Sequence, residues 1–324
     1  SLIKGRDRFK IYSIRYGRIF TNSVHDAAYL YKNELLEGPS YQYRESKNTD
    51  IKNNSVLKNG TPKLLKKYKG KVLSILSGGA AKKNYAHWIF DTLSRLIIFS
   101  KFHSLKKIDY FYVPSYKLKF QIDTLKYFGI KNSRIIDSNY QRHIKSDHVF
   151  ATDHPFSHKF RKIPPWIIKE TRKIFLKKLK KNKKSFKKIY IDRGQPNFDI
   201  KKNIKENKND RVLLNEREIV NYLKKKGFDI IKLHQLSFHK QVKIFNDAKI
   251  IVGLFGSGLA NIAFCRPKTK IIEIKNNRRN NDYLNISKIC KLNHSQISIK
   301  PIFKTSYYQN GILICPLGKL KKLL

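Results

Sequence analysis

The segment from Ile250 to Asn261 restricts the fold of this chain more than any other. An apolar run, Ile250-Ile251-Val252, enters a cluster of small residues, Gly253-Leu254-Phe255-Gly256-Ser257-Gly258, and an apolar helical pattern resumes at Leu259. Strand, tight turn and helix in direct succession are the unit from which parallel α/β sheets are built. The three glycines are free to take φ > 0 and let a ligand approach the backbone. A helix starting near Leu259 would leave unpaired N–H groups facing out of the turn, a site for an anion. The same residues also suit close packing of a helix on a sheet, and the turn alone does not separate the two readings. Its spacing, G-x-x-G-x-G, excludes the dinucleotide fingerprint, and the absence of Gly-Lys-Ser/Thr excludes a Walker A loop.

The rest of the chain repeats this alternation. Lys71–Leu76 reads as a strand, Ser77–Ala81 as a turn and Tyr85–Phe102 as a helix. Strands follow at Ile108–Val113, Arg134–Asp137 and Asp147–Ala151, with a helix over Gln121–Phe128 that closes at Gly129. Ile163-Pro164-Pro165-Trp166 marks a boundary, because the prolines block a strand and suit a helix start, here Trp166–Leu179. The Lys-rich segment Lys180–Lys188 reads as a connector. A second series then runs strand Lys188–Asp192, helix Glu216–Lys226, strand Phe228–Leu233 and helix Phe238–Ala248. It ends with strand Lys249–Leu254, a short helix Gly258–Phe264 and strand Lys270–Ile274. The polar stretch Asn48–Lys69 reads as a loop or hairpin. These βαβ units predict largely parallel sheets in two α/β domains, a division that 324 residues suits. The expected boundaries are 1–163, a hinge or linker helix over 164–187, and 188–324. The C-terminal end of the last is expected to pack back on the first, with a ligand cleft between the two.

Charge is the extreme feature of the composition: 70 basic against 23 acidic residues give +47. Nucleic-acid binding would use such a field, and so would peripheral contact with an anionic membrane surface. The excess is mostly Lys, accompanied by abundant Asn and Ile and dispersed along the chain, as compositional drift would leave it. No aromatic-interleaved basic stripe or RNP-type motif marks a specific nucleic-acid site. The chain opens without an apolar h-region, and its longest uncharged run, Ile250–Cys265, is too short to span a bilayer. Three widely spaced cysteines, Cys265, Cys290 and Cys315, match neither a disulfide framework nor a zinc site. A cytoplasmic protein, peripheral at the inner face of the membrane, is the expectation.

Several residues could carry chemistry. His87 and Asp91 in Asn84-Tyr85-Ala86-His87-Trp88-Ile89-Phe90-Asp91 stand four apart, so a helix puts them on one face. A carboxylate there raises the basicity of the imidazole and fixes its tautomer. A structural histidine near a helix start is the alternative. Arg193 stands at the end of the strand Lys188–Asp192, and Arg211 precedes Asn215-Glu216-Arg217-Glu218. Guanidinium forks suit phosphate oxygens, although both arginines also fit the general basic excess, and Asn215 with Glu218 fits plain N-capping. Glu273 ends a buried apolar strand, where a carboxylate can bind a ribose hydroxyl, cap a turn or pair with Lys275. His143, His148, Asp153, His154 and His158 cluster before the hinge in spacings that match no metal-ligand set, so no metal site is expected.

Together these segments resemble glycosyltransferase family 61 over about residues 75 to 275. The matching elements are Asn84–Asp91, Tyr190–Arg193, Arg211–Ile219, Gly253–Asn261 and Ile271–Glu273, in that order. The chain departs from the family pattern in two places. Phe255 stands where the family usually has His before the second glycine, and a Lys/Asn-rich stretch fills the Arg193–Arg211 interval. The resemblance implies a GT-B architecture of two Rossmann-like domains and inverting transfer of a hexosyl or pentosyl unit from a nucleotide-sugar donor to a glycan or glycolipid hydroxyl. A bacterial member would serve capsule or lipopolysaccharide biosynthesis. It further implies that Gly256, Ser257 and Gly258 hold the diphosphate and that Arg193 and Arg211 stabilise the leaving charge. Glu273 would contact the ribose, and Asn215, Glu216 and Asn261 would complete the donor side. His87 or Asp91 would be the base, with Asn84, Tyr85 and Trp88 beside the acceptor. No cofactor and no obligatory metal are implied. The alternative from another class is a non-catalytic basic binding protein, either a degenerate transferase fold or a nucleic-acid binder. Nucleic-acid binding would be steeply salt-dependent and indifferent to His87.

Overall fold

A computed structural model describes residues 9–22, 26–40, 51–76, 82–156, 163–177, 179, 187–193, 211–277, 280–302 and 311–324. The turn expected at Ser77–Ala81, His158, most of the Lys180–Lys188 connector and the Arg193–Arg211 interval lie outside the described residues. The chain divides into two compact α/β units, Ser1–Lys173 and Ile174–Leu324. The division falls inside the helix Pro165–Leu176, within the segment expected as a hinge. Near its start Trp166 packs edge-on against Phe9, and near its end Phe175 packs against Phe238 and Phe264.

The first unit is built on one mixed sheet. Its strands are β1 (Ile11–Arg15), β2 (Arg18–Thr21), β3 (Ala27–Tyr31), β4 (Glu34–Leu35), β5 (Lys66–Ser74), β6 (Tyr110–Val113), β7 (Ile135–Asp137) and β8 (His143–Thr152). They run in the order β4-β3-β2-β8-β5-β6-β7, and β1 also pairs with β8. Only β8-β5-β6-β7 is parallel; β1 to β4 pair antiparallel among themselves or with β8. The expectation of a largely parallel sheet is corrected here. A two-residue link such as Lys32-Asn33 can close a hairpin but cannot carry a parallel crossover. Strand β5 also starts at Lys66, inside the stretch expected as loop, because its first residues are Lys-rich and half exposed and show no apolar run. Helices Tyr85–Ser100 and Lys119–Tyr127 supply the crossovers from β5 to β6 and from β6 to β7.

The second unit centres on five parallel strands. They are β9 (Lys187–Asp192), β11 (Phe228–Lys232), β12 (Ala248–Leu254), β13 (Lys270–Asn276) and β14 (Asn293–Ile299), in the order β11-β9-β12-β13-β14. Two further strands, β10 (Arg211–Leu213) and β15 (Gly311–Leu313), pair parallel to each other beside this sheet. Arg211 therefore opens a strand that the sequence reading does not include. Its three residues carry no readable period, and a partner 100 residues away makes them a strand. Tyr190, Val252, Leu254, Ile272 and Ile274 pack on one side of the sheet with Ile219 and Leu223 of the helix Glu216–Lys225 and with Leu313 and Leu320. The chain leaves β9 for β11 on one side and returns to β12 on the other. That reversal makes the carboxyl ends of β9 and β12 the switch point where open α/β sheets bind ligands.

Candidate active site

The switch point of the second unit is occupied by the glycine turn and two arginines. Arg193 follows directly on β9, and Phe255-Gly256 follows on β12. Strand β10 places Arg211 beside them. Arg193 donates from Nη1 to the Phe255 carbonyl at 3.1 Å, and the Arg211 guanidinium donates to the same oxygen. The Arg211 guanidinium also lies over the Phe255 ring, 4.6 Å from its centroid, a favourable cation–π contact. Two positive groups thus converge on one backbone carbonyl.

The glycines serve close approach and not backbone freedom. None of Gly253, Gly256 and Gly258 adopts the left-handed region of φ; Gly256 is extended, with φ 171 and ψ 166. A Cβ on Gly256 would stand 2.6 Å from Nη1 of Arg193 and 3.3 Å from that of Arg211. The segment that follows, Ser257–Phe264, where the sequence predicts a short helix over Gly258–Phe264, is a 3-10 helix closed by bonds such as Leu259 N–H to the Gly256 carbonyl. The i→i+3 pattern keeps the turn compact over buried Leu259, Ile262 and Phe264.

Tyr283, on the helix Asp282–Cys290, completes this floor. Its hydroxyl donates to the Gly256 carbonyl at 2.6 Å, and its ring lies 5.1 Å from that of Phe255. Burial first, then the charge of Glu273, pushes the Tyr283 hydroxyl far above its ordinary range, so it stays a donor. No motif announces Tyr283; its only signal in sequence is an aromatic on an amphipathic helix after the glycine turn.

The other residues expected on the donor side are mostly internal supports. Asn261 is fully buried and donates to Gln241 and to the Gly258 carbonyl, bracing the turn from beneath. Asn215 makes no capping bond. Its side chain instead bonds Glu218 and both the N–H and the carbonyl of Cys315, tying in the C-terminal segment. Glu216 accepts from the Tyr190 hydroxyl at 2.7 Å, and burial raises its carboxyl above the usual range. Glu273 is 1% exposed, so it is not a solvent-facing cap, and the Lys275 ammonium donates to the Asn280 carbonyl instead of pairing with it. One oxygen accepts from His294 at 2.9 Å and Gln296 at 2.8 Å, and His294 in turn bonds Ser287 at 2.6 Å. The other oxygen is buried without a partner among the described residues. At that depth Glu273 touches a ribose only if its neighbours move.

In the first unit, Asn84 caps the helix start by accepting from the N–H groups of Ala86 and His87. The helix then changes to a π-turn over Trp88–Thr92 before resuming as α over Leu93–Ser100. Such one-turn insertions recur at functional sites. His87 Nδ1 lies 2.7 Å from Asp91 Oδ2, the His–acid contact that the four-residue spacing predicts. The two differ in access: the His87 side chain is 42% exposed and that of Asp91 7%. Trp88 is fully buried with its indole N–H on Thr124, and Tyr85 packs edge-on against Phe120. Both frame the helix from inside rather than face a solute. His143 and His154 are likewise buried, with Pro62 and Phe156 as backbone partners. Among the described residues no group of three or more His, Cys, Asp or Glu could hold a metal ion, and no helix is long and apolar enough to cross a membrane.

The model of the family described as Glycosyltransferase 61 matches residues 85–272, more than half of the chain. The matched span runs from the residue after the helix cap to the middle of β13 and contains His87, Asp91, both arginines and the whole glycine turn. No curated protein matches the chain.

Proposed function

The chain belongs to glycosyltransferase family 61, and from that premise we propose an inverting transferase that moves a sugar from a nucleotide-sugar donor to a hydroxyl of a glycan or glycolipid. Glycosyltransferase activity, with a nucleotide-sugar donor and a glycan acceptor in general, goes with the family. The observation that supports the finer reading most is the convergence of Arg193 and Arg211 on the Phe255 carbonyl, against a glycine that leaves them room. Fixed guanidinium groups at the switch point suit a diphosphate whose charge grows as it departs. We assign them that task, with the N–H groups of Ser257 and Gly258 beside them and no obligatory metal.

His87 is assigned as the base. It is the exposed member of its pair, while buried Asp91 holds the ring and offsets the charge it gains. The acceptor hydroxyl gives its proton to the ring nitrogen that does not face Asp91. Its oxygen bonds the anomeric carbon, and the bond to the diphosphate oxygen breaks with its electron pair going to the leaving group. The reading assigns donor binding to the second unit and acceptor and base to the first, as in GT-B enzymes. Synthesis of a capsule- or lipopolysaccharide-type polysaccharide at the cytoplasmic face suits the +47 charge, which would draw the protein to an anionic membrane.

A thermal-shift screen across nucleoside diphosphates and nucleotide sugars tests the donor site. A true ligand at 100 times its Kd adds about 2.7 kcal/mol of stability. Arg193→Ala is expected to abolish that shift while leaving the unliganded Tm nearly unchanged. An undiminished shift in Arg193→Ala would overturn the assignment.

A further inference from the structure

Phe255 is the one aromatic residue of the glycine turn, and it brings no polar side-chain atom to a place that gathers positive charge. Its backbone is held on both sides. The N–H donates to the Ile274 carbonyl of β13 at 2.7 Å, and the carbonyl takes Arg193 and Arg211. Its ring is held as well. Tyr283 lies 5.1 Å away with the two planes at 59°, and the Tyr283 hydroxyl secures the next carbonyl, that of Gly256, at 2.6 Å. Phe255 is 6% exposed, so its ring is a fixed plate, and the Arg211 guanidinium lies over that plate at 4.6 Å. Arg211 reaches it from a small element: β10 has three residues and pairs with the equally short β15 in a sheet of two strands.

We propose that Phe255 is a positioning residue for the donor site: its ring face holds the Arg211 guanidinium, before a ligand arrives, where a phosphate of the donor meets it. The inference rests on the assignment of Arg211 to the diphosphate and deepens it. An arginine side chain has several rotatable bonds, and freezing them only when the ligand arrives subtracts from affinity. Charge already in place also does most for a leaving group. Two contacts with one residue divide the task. The carbonyl bond is made by backbone, so it does not depend on the side chain at this position. The ring contact does, because only an aromatic side chain presents a negative face to the cation. A ring moreover holds a guanidinium without neutralising it, whereas a carboxylate in the same place would take up the N–H groups and the charge that a phosphate needs. A role limited to filling space beside Tyr283 would be met by another apolar side chain and would not depend on the electronics of the ring.

The test uses the full chain with nitrogen-labelled arginine, the Arg211 Nε–H signal being identified by its loss in Arg211→Lys. Over a ring face that signal stands upfield of free arginine, and Phe255→Leu should return it to the free position. Binding of inorganic pyrophosphate, followed by isothermal titration calorimetry, should weaken about 3- to 10-fold in Phe255→Leu, and by under about twofold when Arg211→Ala is already present. Trifluorophenylalanine at position 255 keeps the shape of the ring and removes the negative potential of its face, so it should weaken pyrophosphate about as much as leucine does. It also decides the matter if Phe255→Leu fails to fold. An Arg211 signal that stands at the free position in the wild type, or stays in place in Phe255→Leu, overturns the proposal. So does affinity within about twofold of wild type in either variant at position 255, or an equal loss with Arg211→Ala present. Failure of the donor assignment shows separately, as pyrophosphate affinity that Arg211→Ala alone leaves unchanged while the Arg211 signal still reports the ring.

Discussion

Adding one methyl group at Gly256 tests the donor site with little disturbance of the fold. The backbone there is extended, a conformation that alanine adopts without strain. The new Cβ would stand 2.6 Å from Arg193 Nη1, where an ordinary contact needs about 3.5 Å. The atom it meets is the far end of a flexible side chain, so Arg193 withdraws by roughly 1 Å and the sheet stays put. Its 3.1 Å bond to the Phe255 carbonyl is then lost. The Phe255 carbonyl keeps its bond from Arg211 and the withdrawn guanidinium meets water, so the fold loses little; what goes is the contact of a charged donor with a phosphate, worth about 1.5–3 kcal/mol. Gly256→Ala is therefore expected to weaken nucleoside-diphosphate binding about 10- to 100-fold, read by isothermal titration calorimetry, while the unliganded protein loses under about 1 kcal/mol. Because the methyl acts through Arg193, Gly256→Ala/Arg193→Ala should bind no worse than Arg193→Ala alone. Affinity within twofold of wild type in Gly256→Ala, or full additivity in the double variant, refutes the reasoning.

Two further outcomes are expected. His87→Ala and Asp91→Asn should each lower kcat by about 10²- to 10⁴-fold with little change in nucleotide affinity, measured as sugar transfer to an authentic acceptor; wild-type turnover in both removes the pair from the mechanism. Glu216→Gln should flatten the pH dependence of stability in urea unfolding. Burial raises the folded-state pKa of Glu216 above its unfolded value of 4.5, so its contribution is full below that value and is lost as pH rises through the folded-state pKa. Above that window the Gln variant should be the more stable protein. A wild-type and Gln pair with parallel pH profiles contradicts this.

Much of the candidate site was legible because it is written locally. A spacing of four puts His87 and Asp91 on one helical face whatever surrounds them, and Asn84 before that helix is a capping residue by its own chemistry. Apolar runs ending in glycine or arginine place Arg193 and the Gly256 turn at strand ends. The readings that failed depended on distant partners. Nothing near Arg211 shows that Gly311 will pair with it, and the short hairpins β1 to β4 draw their order from β8, more than 100 residues away. Glu273 reads as a strand-end carboxylate, and only β14 and the helix Asp282–Cys290 enclose it with His294 and Gln296.

By itself, then, the sequence determined the class of the fold, the strand–turn–helix units of both α/β units and the pairing of His87 with Asp91. Each depends on periodicity or turn chemistry within a few residues. Tertiary structure alone decided that β9 and β12 lie side by side, and so that Arg193 and Arg211 share the carbonyl of Phe255, 62 and 44 residues further on. It also decided that Tyr283 reaches back to Gly256 and that Arg95 lies buried beside Thr152 and Asp153. Convergence of this kind follows from the order in which strands pair. That order is selected by burial over the whole sheet, which no local run of residues encodes.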